Sequence, residues 1–137
     1  MNRIIGEKAK ETENKFEPFE RTEDYKYTSA KIYPPIRLSD GSIYYGQWSP
    51  YFQKHGYGTI IKKDGAKYEG YWDNDLQNGQ GRFFDNKGNY YIGNWRDGKA
   101  NGQGTLSIDG AIYEGTWIND IQNGKGSEKY PDGTTYE

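Results

Sequence analysis

A chain of 137 residues is sized for about one domain, and a formal net charge of −2 denies it the basic surplus that phosphate neutralisation requires, which excludes nucleic acid as a partner class. The absence of cysteine excludes a disulfide framework and a thiolate zinc site, and sets the expectation of an intracellular, cytoplasmic protein. With 17% aromatic but only 32% hydrophobic residues, the chain is too aromatic for a disordered segment and too poor in aliphatics for a thick two-layer core.

The N-terminus, "MNRIIGEKAKETENK", offers only Ile4-Ile5 before charge resumes, so it lacks the apolar run of a signal peptide. No run in the chain approaches the roughly 20 apolar residues that span a bilayer. Residues 1–30 are rich in Glu and Lys and contain no glycine beyond Gly6, which reads as a charged arm, flexible or ordered by a partner. "EPFERTEDYKYTSAKIYPPIRL" nevertheless carries Phe19, Tyr25, Tyr27, Ile32, Tyr33 and Ile36, enough apolar surface to lie back over an aromatic face or to pair with the first strand. Residues 31–43 read as a degenerate lead-in half-repeat, in which Pro34-Pro35 forbids a regular central strand.

From Tyr44 onward the chain repeats itself. "YYGQW", "YEGYW", "YIGNW" and "YEGTW" end at Trp48, Trp72, Trp95 and Trp117. Each is followed by G-x-G, at Gly56 to Gly58, Gly79 to Gly81, Gly102 to Gly104 and Gly124 to Gly126. A turn pair closes each unit: Asp64-Gly65, Lys87-Gly88, Asp109-Gly110 and Asp132-Gly133. The units are 44–67, 68–90, 91–112 and 113–135, with a fifth starting at Tyr136. In Y-x-G-x-W the Tyr, Gly and Trp are two residues apart and share one face of a strand, so each unit is a β-hairpin whose second strand begins at G-x-G. The bare glycine backbone leaves room for a neighbouring Tyr or Trp ring to lie across the strand. The opposite face carries Gln47, Glu69, Gln80, Arg82, Asn94, Gln103, Thr116 and Lys125, with Tyr57, Tyr71 and Phe84 as exceptions.

A unit of this length with Y-E-G-x-W, then G-x-G, then D-G resembles the MORN repeat (membrane occupation and recognition nexus). The closest stretch is "YEGTWINDIQNGKGSEKYPDG" from Tyr113 to Gly133, and the likeness extends over about Ser39 to Glu137. Departures are local: Tyr45 and Ile92 replace the usual acidic residue, and the loop after Trp48 is one residue longer. The resemblance implies an all-β fold, an elongated single-layer antiparallel sheet of stacked hairpins. It also implies a module that holds other proteins or contacts membranes, in a cytoskeletal, ciliary or membrane-associated assembly.

Chemistry competes poorly with packing in these repeats. "WDNDLQNGQG" looks like a calcium loop, but counted from Asp73 it has Gln77 at position 5, Asn78 at 6 and Phe84 at 12, where an EF-hand needs an acid, a glycine and a bidentate glutamate. Its counterpart "WINDIQNGKG" replaces Asp73 with Ile118 and keeps the turn, so Asp73 and Asp75 read as a solvated loop rim. His55 is the only histidine and has neither cysteine nor a second ligand beside it. No catalytic residue, cofactor or metal is expected. The expected partner is a protein, a peptide or helix lying in a groove, with Tyr68, Trp72, Phe83, Tyr91, Trp95, Leu106, Tyr113 and Trp117 as candidate contacts. The alternative is an anionic phospholipid or phosphoinositide met by Lys54, Lys62, Lys63 and Lys67, a cluster worth about 1 kcal/mol per cation. Ending at Tyr136-Glu137 leaves a strand edge, read as a piece of a longer array or as an edge covered by another copy or a continuation of the array.

Overall fold

A computed structural model of the chain describes residues 5–21 and 30–137. Over these the chain forms a helix, α1 (Glu7–Glu13), and the strands β1 (Lys31–Arg37), β2 (Ile43–Trp48), β3 (Lys54–Ile61), β4 (Lys67–Asp73), β5 (Leu76–Phe84), β6 (Tyr90–Arg96), β7 (Lys99–Ile108), β8 (Ala111–Ile118), β9 (Ile121–Lys129) and β10 (Thr135–Tyr136). Each strand pairs antiparallel with the next, so spatial order equals sequence order in one open sheet. The sheet is the expected single layer of stacked hairpins. β1 is its edge strand, and its register slips between Tyr33 and Ile36, where Pro34-Pro35 stand.

A single layer has no second sheet to bury its apolar face, so the core is built from rings laid on the sheet itself. Gly46, Gly58, Gly70, Gly81, Gly93, Gly104, Gly115 and Gly126 pair in succession and form one bare row across β2 to β9. The tyrosine at the start of each unit lies over this row. A Cβ at Gly81 would overlap the hydroxyl end of the Tyr68 ring, and Gly104 stands in the same relation to Tyr91. The hydroxyl then donates to a carbonyl three residues on: Tyr44 to Gln47 O at 2.7 Å, Tyr68 to Tyr71 O at 2.9 Å, Tyr91 to Asn94 O at 3.0 Å.

The tryptophans lock the units together. Trp72, Trp95 and Trp117 donate Nε1–H to the carbonyls of Gly58, Gly81 and Gly104, each on the preceding strand, at 3.0, 3.0 and 3.1 Å. Every tryptophan meets the tyrosine of its own unit edge-on, and from Trp72 onward it also meets the tyrosine of the unit before, as in Tyr68–Trp95 at 5.2 Å and Tyr91–Trp117 at 5.7 Å. The result is a continuous zigzag of alternating rings with the edge-to-face geometry that aromatic quadrupoles favour. Trp48 stands apart. It is buried, but its Nε1 has no hydrogen-bond partner among the described residues, because β1 lacks the glycine strand that serves the later units.

Two details differ from the expected hairpin. The second strands start before G-x-G: β5 begins at Leu76, β7 at Lys99 and β9 at Ile121, so the loop shrinks to two residues, Asn74-Asp75, Asp97-Gly98 and Asn119-Asp120. Both residues of each pair have φ between 48° and 82°, the left-handed pair of a type I′ turn that matches strand twist. The extra strand length is absorbed by a bulge. Between the pairs Gly70↔Gly81 and Trp72↔Gln77, the single residue Tyr71 faces Asn78, Gly79 and Gln80, and Gly79 takes φ +94°. The first glycine of G-x-G therefore makes the bulge, and the second lies under the tyrosine.

The arm is the larger surprise. Of the stretch expected to cover the Tyr/Trp face or to pair with the first repeat strand, Ile32, Tyr33 and Ile36 do pair, as β1 against β2, whereas residues 5–21 take neither place. They dock on the opposite face, where Phe16 meets Phe84 and Tyr90, and Phe19 meets Tyr57 and Tyr71. The three exceptions on the otherwise polar face are thus the landing site of the arm. Arg82, expected to point outward, is buried beneath it and donates to Glu17 O at 2.6 Å. Tyr25 and Tyr27 lie outside the described residues.

Placing Gly81→Ala under the Tyr68 ring should cost about 1–3 kcal/mol in urea denaturation, whereas Gly88→Asn, with nothing within 4 Å and a residue that tolerates its +92° φ, should cost under about 1 kcal/mol. The buried phenols give a second test. Burial raises Tyr44, Tyr57 and Tyr91 above their ordinary value of 10.0, Tyr91 to about 12; the charges of Asp75, Glu69 and Asp120 add to this, as does a hydrogen bond from Tyr57 to Glu69. Unfolded phenols ionise near pH 10 while the folded ones stay neutral, so this stability is complete below about pH 10 and is lost as pH rises through the folded values. Urea midpoints should hold level between about pH 7 and 9 and fall between about pH 10 and 12, with phenolate absorbance appearing in step with unfolding.

Candidate interaction site

Cross-strand partners share a face. The pairs Tyr68↔Phe83, Phe83↔Tyr91, Tyr91↔Leu106 and Leu106↔Tyr113 therefore gather six of the eight candidate contacts into one band together with Trp95. Trp72 and Trp117 join the same face at Gly56 and Gly102. The structure divides these residues by burial. Tyr68, Trp72, Tyr91, Tyr113 and Trp117 are between 1% and 8% exposed and serve as the frame. Phe83, Trp95 and Leu106 are only partly buried, packed against that frame from outside. Ile108 and Tyr130, which are not among the eight candidate contacts, lie on the same face and are 48% and 36% exposed. With Leu106, Ala111 and Tyr113 they line a cavity of about 220 Å³ beside Glu128. Their signal in the sequence was the face parity of the second strand.

The four lysines proposed for lipid contact do not form one patch. Lys54 opens β3, and Lys62 follows its end, so they sit at opposite ends of an 8-residue strand, roughly 26 Å apart at about 3.3 Å per residue. Lys54 pairs with Asp75 at 3.4 Å and lies over the Trp72 ring. Lys67 is held on the opposite face between Glu13, at 2.5 Å, and Glu69, at 3.9 Å. Lys62 and Lys63 remain at an exposed turn.

The acids of "WDNDLQNGQG" are engaged in joining units. Asp75 accepts from the Lys54 backbone N–H at 2.7 Å while its own N–H donates to Lys54 O at 2.9 Å. Asp120 repeats both bonds with Ala100, at 2.7 and 2.9 Å. At the intervening unit the bond runs from the Asp97 N–H to the Asn78 side chain at 3.1 Å. Asp73 faces His55 at 3.3 Å, a pair that sequence distance hid and that β3–β4 pairing creates. Among the described residues, no group of three or more His, Cys, Asp or Glu is placed to hold a metal ion.

The opposite face has its own built cluster beneath the arm. Tyr57 donates to Glu69, Arg82 reaches Glu69 at 3.5 Å, and the Arg82 guanidinium lies between the Phe19 and Phe84 rings at 5.6 Å from each. Farther along this face the rungs are polar: Gln80 donates to Asn94, and Gln103 to Thr116 at 2.8 Å.

No curated protein sequence matches the chain at a significant level. The MORN repeat family model matches at residues 53–67, 68–90, 91–111 and 113–135, in step with the hairpins β3 through β9 and covering more than half of the chain. With the ring-over-glycine frame repeated through those same segments, the chain belongs to the MORN-repeat family.

Proposed function

We propose that this chain is a non-catalytic scaffold that binds a protein partner through the Tyr/Trp face of its sheet. The observation that carries the reading is the placement of the arm: it docks on the opposite face, so Phe83, Trp95, Leu106, Ile108 and Tyr130 form an apolar band that no described element beyond the turn at Leu38 packs over. Contiguous apolar surface of this kind marks partner sites, and the stiff rings behind it offer contact area at little conformational cost. A partner segment would lay apolar side chains between the strands' exposed residues while the buried rings hold the surface in shape. By analogy with the family, the assembly is cytoskeletal, ciliary or membrane-associated. The lipid alternative loses ground because its lysines are split between the two ends of β3 and between the two faces of the sheet, and two of them are already paired.

The double variant Phe83→Ser/Leu106→Ser removes the band without touching a tyrosine–glycine contact. It should keep the wild-type circular dichroism yet lose the proteins that the intact chain retains in affinity capture. Unchanged capture by a folded variant would move the site elsewhere, and phosphoinositide-dependent vesicle pelleting at physiological salt, abolished by Lys62→Glu/Lys63→Glu, would replace the protein reading with the lipid one.

A further inference from the structure

We infer that the second face of the first two full repeats is a peptide-docking site for segments of the pattern Glu-x-x-Phe-x-x-Phe, filled here by the chain's own residues 6–21 and open to exchange with a partner segment of the same pattern. This goes beyond the scaffold reading, because it concerns the face opposite the apolar band.

On this face the first two full repeats depart from the pattern of the others. The position of Tyr57 is filled by Gln80, Gln103 and Lys125 in the other units, that of Tyr71 by Gln47, Asn94 and Thr116, and that of Phe84 by Ile61, Ser107 and Lys129. The array closes its rungs there with polar pairs such as Gln103 and Thr116, so the frame does not need aromatic residues on this face. Three large rings placed together at β3, β4 and β5 create apolar walls that only a covering segment can use.

The face reads the covering segment at separate points. Three side chains, spaced three residues apart, each find a distinct receptor. Glu13 pairs with Lys67 at 2.5 Å. Phe16 sits edge-on to Tyr90 at 5.1 Å and against Phe84 at 6.0 Å. Phe19 stacks on Tyr57 at 5.8 Å and touches Tyr71 at 6.2 Å, with the Arg82 guanidinium over its ring. Arg82 also takes the Glu17 carbonyl, fixing the main chain between the two phenylalanines. Glu69 orients the site from below by holding Lys67, Arg82 and Tyr57. A cation, two aromatic slots and a guanidinium that grips backbone are the parts of a peptide-recognition surface.

The sheet also supplies what the arm lacks. α1 has 7 residues, too few to be stable alone. Its N-cap, Gly6, offers no side-chain bond; the cap comes from Asn86 on the β5–β6 turn, whose Oδ1 accepts from Lys8 N at 3.1 Å and Ala9 N at 3.4 Å. Among the described residues one backbone bond, Gly6 N to Gly65 O at 2.8 Å, joins arm to sheet. A segment that folds on docking and shares no strand ladder with its receptor belongs to the low-stability end of a structure, the end from which exchangeable elements come.

The experiment uses the full chain with a protease site inserted after Arg21, cleaved once the protein has folded, and a fluorescent peptide of residues 5–21 followed by anisotropy. The cleaved protein should take up the peptide saturably, and the uncleaved protein should bind it at least about tenfold more weakly, because a tethered arm competes at an effective concentration in the millimolar range. A peptide with Phe16→Ala/Phe19→Ala should lose about tenfold or more in affinity. Lys67→Glu in the protein should weaken the wild-type peptide and be rescued by Glu13→Lys in the peptide, a charge exchange that reports this register and no other. The Phe83→Ser/Leu106→Ser protein should bind the peptide like wild type, which separates this site from the apolar band. The inference is overturned if cleaved, natively folded protein takes up no peptide, if the doubly substituted peptide binds equally well, or if cleavage unfolds the sheet and so makes the arm part of its core.

Discussion

Everything in this sheet depends on a tyrosine ring lying flat across a pair of glycines. An isolated layer of β-structure has one face too many: any side chain that points away from water on that face has nothing to meet. Here the meeting surface is the backbone itself, laid bare by the glycine row from Gly46 to Gly126. Tyr44, Tyr68 and Tyr91 cover it and return their hydroxyls to main-chain carbonyls, so that burial of the ring leaves no polar atom stranded. Adding a methyl group anywhere along the row pushes against ring or backbone. At Gly70 a Cβ would come within 2.5 Å of both Gly81 Cα and Gln80 O.

From that contact the coupling between units follows. The tryptophan of one unit reaches back to the glycine carbonyl of the unit before and wedges its ring against that unit's tyrosine, as Trp95 does with Gly81 and Tyr68. At the turns just beyond Trp72 and Trp117, Asp75 and Asp120 tie their two-residue turns to the preceding unit's backbone. Each hairpin is therefore completed by its predecessor, the nearest-neighbour logic of a repeat array. Trp48 shows the consequence, since the unit before it is β1, without glycine, and its indole N–H finds no partner among the described residues.

The two faces then diverge in what they are free to do. Ring-on-glycine packing commits Tyr68, Trp72, Tyr91, Tyr113 and Trp117 to the frame and leaves Phe83, Trp95, Leu106, Ile108 and Tyr130 to vary what the surface offers. The reverse face carries no frame obligation at all, so its composition can change from unit to unit. It is polar where Gln103 meets Thr116, and aromatic where Tyr57, Tyr71 and Phe84 receive the arm.

The repeat, the hairpins, and the shared face of Tyr, Gly and Trp were all legible in the sequence, because strand parity and glycine spacing are local and recur four times over. The two-residue turns and the bulges were not, since "NDLQNGQG" reads as one polar loop until cross-strand pairing shows Gln77 already opposite Trp72. Nor could local pattern rank the eight aromatic-face contacts, because Tyr91 and Phe83 look equally apolar until one lies beneath its neighbours and the other on top of them. The arm is the clearest case. Its phenylalanines and the three exceptional rings were each visible in the chain, but the side of the sheet on which they meet is a long-range choice, settled by Glu13 finding Lys67 and Asn86 capping α1 across more than fifty residues of sequence. Only tertiary structure brings such partners within reach of one another.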